Sequence, residues 1–151
     1  MEYSACLSRL QRLCSRAEYC ARDMYRKALK DLDGDTEAAA RIVAALKSDR
    51  YVDDARYASA FAREKSSLQG WGPVKIRFQL RSKGISEEDI SAGMSEIEST
   101  KADAKLRRLI EEKYKVLAGD PQCKLKLLKY ALSRGYEYDQ VAPVVDSVLA
   151  G

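Results

Sequence analysis

A chain of 151 residues has room for one core or a few small modules, not for two large domains. With 46% apolar and 33% charged residues it reads as a soluble helical protein rather than a disordered one, and a formal charge of +4 is too mild to make it a nucleic-acid binder by composition alone. The four cysteines, Cys6, Cys14, Cys20 and Cys123, form no Cys-x-x-Cys pair and no histidine exists to complete a zinc site, so no metal is expected and the thiols read as reduced and structural. Met1-Glu2-Tyr3 lacks the basic-then-apolar start of a signal peptide and no uncharged run is long enough to span a bilayer; the expectation is a cytoplasmic protein with no membrane partner.

Apolar residues recur at helical spacing along nearly the whole chain. In order, the stripes are Leu7, Leu10 and Leu13; Tyr19, Met24 and Ala28; Ile42, Val43 and Leu46; Tyr57, Ala58 and Phe61; Ile90, Met94 and Ile97; Leu106, Leu109, Ile110 and Leu117; Leu125, Leu128 and Leu132; and Val141, Val144, Val145 and Val148. About nine helices are predicted. Ser15 with Glu18 reads as a capping box, Asp35, Asp53, Ser86 and Thr100 as N-caps, and Asp120-Pro121 as a helix start with proline in its first position. Gly84 and Gly135 stand where a helix ends in a left-handed residue.

Residues 74–81 oppose this pattern, because Val74, Ile76, Phe78 and Leu80 alternate with Lys75, Arg77, Gln79 and Arg81 as in a strand. No other stretch alternates convincingly, so a strand here would leave its backbone groups unpaired. Pro73 and Gly84 bracket a helix instead.

A hydrophobic staple repeats four times: Cys14-Ser15 with Tyr19, Val52-Asp53 with Tyr57, Ile85-Ser86 with Ile90, and Tyr136-Glu137 with Val141. Each repeat is a helix, a turn of very few residues and a second helix. The expected fold is all-α, with tandem three-helix repeats forming an elongated, curved molecule of three modules, residues 1–52, 53–98 and 99–151.

Catalysis finds little support in these residues. The paired carboxylates Asp53-Asp54 and Glu87-Glu88-Asp89 open helices, where negative charge complements the dipole, and Gly70-Trp71-Gly72-Pro73 is not a phosphate loop. No enzyme, catalytic residue or cofactor is predicted. A helix-turn-helix reader of DNA is disfavoured too, since the helices after Gly84 and Gly135 open with acidic residues that phosphates would repel.

Positive charge gathers on connectors and on the helices before the turns. Between residues 63 and 83, Arg63, Lys65, Lys75, Arg77, Arg81 and Lys83 face the single acid Glu64; the span from Lys101 to Lys129, including Arg107 and Arg108, is also basic. Such a stripe is either a solvated helix surface or a site for a polyanion or an acidic protein groove. Trp71 either caps a core between modules or anchors a partner. Arg56 either pairs with a neighbouring acid or faces the partner.

Ser15-Arg16-Ala17-Glu18, then Tyr51-Val52-Asp53-Asp54-Ala55-Arg56-Tyr57-Ala58, then Gly72-Pro73-Val74-Lys75-Ile76, Leu80-Arg81-Ser82-Lys83-Gly84-Ile85 and Arg134-Gly135-Tyr136 occur in an order and spacing that resemble the RecX family of bacterial recombination regulators. The resemblance covers essentially the whole chain. One departure is Arg50, which stands where the family usually has glycine before Tyr51. The resemblance implies three-helix repeats, no catalysis, and binding along the groove of the RecA–DNA filament to restrain its ATPase, strand exchange and coprotease activities. The expected molecule is a monomer whose partner is the RecA filament on DNA, with a weak direct DNA contact in addition. Its expected partner-binding residues are Arg56, Arg63, Lys65, Trp71, Lys75, Arg77, Arg81, Lys83, Arg107 and Arg108. A plain helical nucleic-acid-binding protein and a helical adaptor are the alternatives.

Overall fold

The computed structural model describes residues 1–151 and is 75% helical, with nine helices and no strand. The helices are α1 (Tyr3–Arg16), α2 (Ala21–Asp31), α3 (Thr36–Ser48), α4 (Asp54–Ser67), α5 (Pro73–Ser82), α6 (Glu87–Met94), α7 (Ser99–Leu117), α8 (Cys123–Ser133) and α9 (Tyr138–Ala150). The alternating segment is helical as predicted, opened by Pro73 and closed at Gly84. Two compact units result: Met1–Ala60 with Leu80–Gly93, and Phe61–Gln79 with Met94–Gly151.

In the first unit, Cys6 and Leu10 of α1, Met24 and Ala28 of α2, and Ala39, Ile42 and Leu46 of α3 form one buried cluster with Val52. In the second, Leu106 and Ile110 of α7, Leu127 and Ala131 of α8, and Val141 and Val145 of α9 surround Tyr136. All four cysteines are free thiols; burial pushes the Cys6, Cys14 and Cys20 thiols above their ordinary pKa, which keeps them protonated and unreactive.

Helices α2, α3, α5 and α8 end in the same way, α2 through the amides of Asp33 and Gly34, which donate to the carbonyls of Lys30 and Leu29. After α3, α5 and α8 the amides of Arg50, Gly84 and Gly135 donate to the carbonyls of Lys47, Arg81 and Leu132. The following amides, of Tyr51, Ile85 and Tyr136, reach back to Leu46, Leu80 and Ala131. This is a Schellman closure, and it needs a left-handed residue at its centre: φ is 61° at Arg50, 78° at Gly84 and 95° at Gly135. The register of the repeat follows from it. The last carbonyl acceptor and the residue four before it, Leu46 with Ile42, Leu80 with Ile76, and Ala131 with Leu127, are all buried.

Four sequence-based expectations are corrected. Ser15 does not open a helix; it lies in the last turn of α1, where its hydroxyl donates to the Arg12 carbonyl at 2.6 Å, so the expected capping box with Glu18 and the staple from Cys14 to Tyr19 do not form. The staple sits five residues later, with Cys20 at the N-cap of α2 between half-buried Tyr19 and buried Met24, and Asp54 supplies the side-chain acceptor for the Ala21 amide at 2.8 Å. Thr100 lies inside α7, whose N-cap is Glu98. Pro121 precedes α8 in a turn closed by the Asp120 carboxylate, which accepts from the Gln122 amide at 2.8 Å.

The remaining correction concerns the phase of α8. Leu125 and Leu132 were expected in the core but are exposed, and Cys123, Leu127 and Ala131 are buried in their place. Asp35, Asp53 and Ser86 do cap their helices, through bonds to the amides of Ala38, Arg56 and Asp89, and Glu137 forms a reciprocal capping box with Gln140.

Candidate interaction surface

The second unit carries the Gly-Trp-Gly-Pro turn. Its backbone is held from both sides. The Trp71 amide donates to the Lys65 carbonyl at the end of α4 (2.8 Å), while the Gly72 and Val74 amides donate to the Arg134 and Gly135 carbonyls of the α8–α9 turn (2.8 and 2.9 Å). The glycines permit this approach: a methyl group on Gly72 would overlap the backbone of Gly135 and Tyr136, and one on Gly135 would overlap Lys75. The Arg134 guanidinium completes the join by donating to the Gln69 carbonyl.

Held there, the indole of Trp71 meets Phe61 edge to face, with centroids 6.0 Å apart. Two ammonium groups lie against it, Lys65 Nζ at 4.9 Å and Lys75 Nζ at 4.3 Å from the ring centroid. Trp71 is therefore half-buried, joining α4 to α5 and keeping two lysine charges at the surface without a carboxylate. Beside it runs a cleft of about 250 Å³ lined by Trp71, Arg77, Met94, Ile97, Asp103 and Tyr136. Burial raises the Tyr136 pKa, so the phenol that lines the cleft stays neutral. Arg77 makes no ion pair, although Asp103 lines the same cleft.

The other sequence-predicted residues divide by whether an acid neutralises them. In the first unit, Arg56 donates to Glu18 at 2.5 Å and to the Arg50 and Tyr51 carbonyls at 3.2 Å, and its bond to Glu18 holds its pKa above the ordinary value. Lys83 pairs with Asp23 at 3.0 Å next to Arg22, which donates to the Ser82 carbonyl at 2.9 Å; the first turn of α2 thereby grips the end of α5. Arg81 pairs with Glu87 at 2.5 Å, which raises its pKa. In the second unit, Arg63 pairs with Glu96 at 2.5 Å, and Arg107 with Glu111 at 3.4 Å and with the Ser147 hydroxyl at 3.1 Å. Arg108 is exposed and without an acidic partner.

Of the motif residues, Glu18, Asp54 and Arg56 thus act on one another or on nearby backbone, and Gly72, Lys75, Gly135 and Tyr136 meet at one join. Sequence reasoning missed two surface residues. Phe78, 65% exposed, and Val74, 52% exposed, project from α5 opposite buried Ile76 and Leu80. The signal was present in the alternation itself: a helix with apolar residues at 74, 76, 78 and 80 cannot bury all four on one face.

Residues 53–94, which hold α4, α5 and α6, match the family described as RecX, second three-helix domain. Proteins called Regulatory protein RecX from Salmonella paratyphi A and from Salmonella typhimurium strain LT2 are each 24% identical to this chain, over 94% of it and 90% of their own length. The fold is shared with a crystal structure of RecX from Lactobacillus salivarius, at a TM-score of 0.85 and 18% identity over 99% of this chain and 97% of that one. A crystal structure of regulatory protein RecX gives a TM-score of 0.83 at 23% identity, covering 95% of this chain and 71% of that chain. A RecX domain model thus matches the middle of the chain, and relatives called Regulatory protein RecX are similar to it along nearly all of its length.

Proposed function

We propose that this chain regulates RecA by binding the RecA filament on DNA and restraining its ATPase, strand exchange and coprotease activities. It acts as a cytoplasmic monomer without a cofactor or a reaction of its own, and the three-helix modules 1–52, 53–98 and 99–151 are its repeat units. The observation that carries the reading is the likeness to RecX regulators over 94% of the chain. No helix is long and apolar enough to cross a membrane.

Within the basic stripe, charge that is already paired contributes least, because an exposed ion pair must be broken before either member serves a partner. Arg63, Arg81 and Arg107 are in that position, and Arg56 and Lys83 are tied into the structure. Among the ten expected partner-binding residues, the charges available to a partner are Arg77 and Arg108, with Lys65 and Lys75 presented on the Trp71 ring. Reversing Lys75, Arg77 and Arg81 together would also dismantle the lysine–indole stack and the Arg81–Glu87 pair, so the informative variant is Arg77→Glu alone.

Wild type titrated into a DNA-stimulated RecA ATPase reaction should lower the rate. Arg77→Glu should require about tenfold more protein for the same inhibition, the order of effect a reversed interfacial charge produces. Equal inhibition by both proteins would remove Arg77 from the interface. Failure of the wild type to inhibit would remove the functional reading, and binding to bare single-stranded DNA as tight as to the filament would replace it with plain nucleic-acid binding.

A further inference from the structure

Helix α5 has two apolar stripes. Ile76 and Leu80 face inward and are fully buried, while Val74 and Phe78, one helical turn apart, form a second ridge on the solvent side. A helix that only closes a core carries polar residues on that side. The charges on α5 itself have one sign, since the helix contains no acidic residue and Lys75 and Arg77 flank Val74 and Phe78. Neither cation is spent on a carboxylate: Lys75 Nζ rests 4.3 Å from the Trp71 ring centroid and Arg77 makes no ion pair.

We propose that this face of α5 docks a protein segment that sets an apolar side chain beside carboxylates, with Val74 and Phe78 as the apolar contacts and Arg77 as the cation. The inference rests on the filament reading above and deepens it, because it assigns the contact to the protein component of the filament rather than to the nucleic acid. The number and type of groups favour protein. Binding driven by phosphates gains from several free cations acting together, whereas this ridge has one free guanidinium and a lysine drawn onto an indole. Phe78 alone offers a base something to stack on; Val74 does not, but an aliphatic or aromatic side chain can bury itself against both.

The test compares wild type, the double variant Val74→Ser/Phe78→Ser and the conservative variant Phe78→Leu, each titrated onto fluorescent RecA–DNA filaments and onto the same DNA without RecA. Both residues point outward, so the thermal melt of every variant should match that of the wild type. The double variant should lose about tenfold or more in filament affinity, as truncation of a hot-spot pair does, with bare-DNA binding unchanged and Phe78→Leu retaining most of the affinity. Unchanged filament affinity of the double variant, with wild type binding normally, would overturn this inference and leave the filament reading standing. Equal losses on filament and bare DNA would overturn it in favour of a nucleic-acid stacking surface. If the wild type did not bind filaments at all, both would fall together.

Discussion

Arg50 occupies a backbone conformation that two glycines hold elsewhere in the same chain. Its φ of 61° is left-handed, at the centre of the turn that Gly84 and Gly135 form after α5 and α8. A side chain there costs about 1–2 kcal/mol through contact of Cβ with the neighbouring carbonyl, and a glycine returns roughly 0.5–1 kcal/mol of that in the greater freedom of its unfolded state. The Arg50 side chain makes no ion pair and is exposed, so little else is lost on removing it. Its carbonyl, which accepts from Arg56, remains in place in a glycine variant. Arg50→Gly should therefore raise the melting temperature by about 2 °C, a change that differential scanning calorimetry resolves. A lowered melting temperature would mean that the arginine side chain stabilises the turn in a way its contacts do not reveal.

At the scale of elements, the same turns bind one helix to the next. Ile85 is buried immediately after the left-handed Gly84, its amide bonded to Leu80 at 3.2 Å. Ile85→Asp would place an unpaired carboxylate at that position and cost roughly 3 kcal/mol or more. A chemical denaturation midpoint equal to that of the parent would count against the repeat. These turns were legible in the sequence because a cap is local chemistry: Pro73, Gly84, Gly135, Asp35, Asp53, Ser86 and Glu137 each act on backbone groups a few residues away. What lay further off was not legible. Ser15 has an acceptor inside its own helix as good as the one a cap would offer, so its identity does not say which it uses. Helix α8 has leucines at 125, 127, 128 and 132, enough for two competing faces, and the packing of α7 and α9 selects the one with Leu127. Arg56 finds Glu18 and Lys83 finds Asp23 across 38 and 60 residues, so the basic stripe read from the sequence contains charges that the fold has already neutralised.

For the whole molecule, this neutralisation changes what a formal charge of +4 means. A protein that holds nucleic acid by six or more phosphate contacts loses about a thousandfold or more in affinity between 50 and 200 mM salt. With Arg56, Arg63, Arg81, Lys83 and Arg107 all in internal ion pairs, one or two free cations remain at the proposed face, and filament affinity should fall by about tenfold or less over the same range. A steep salt dependence in a filament-binding titration would place several more cations of the chain against phosphate. The Trp71 arrangement has an optical consequence as well. Trp71 is the only tryptophan of the chain, and the ammonium groups of Lys65 and Lys75 lie 4.9 and 4.3 Å from its ring centroid, so its emission should respond to two nearby charges and to the Phe61 ring packed against it. The first unit contains no tryptophan and is silent when excited at the red edge of protein absorption, whereas circular dichroism registers the helices of both. Intrinsic fluorescence is thus a label-free gauge of the second unit, and any partner that draws Lys75 off the ring will write its arrival into the emission wavelength.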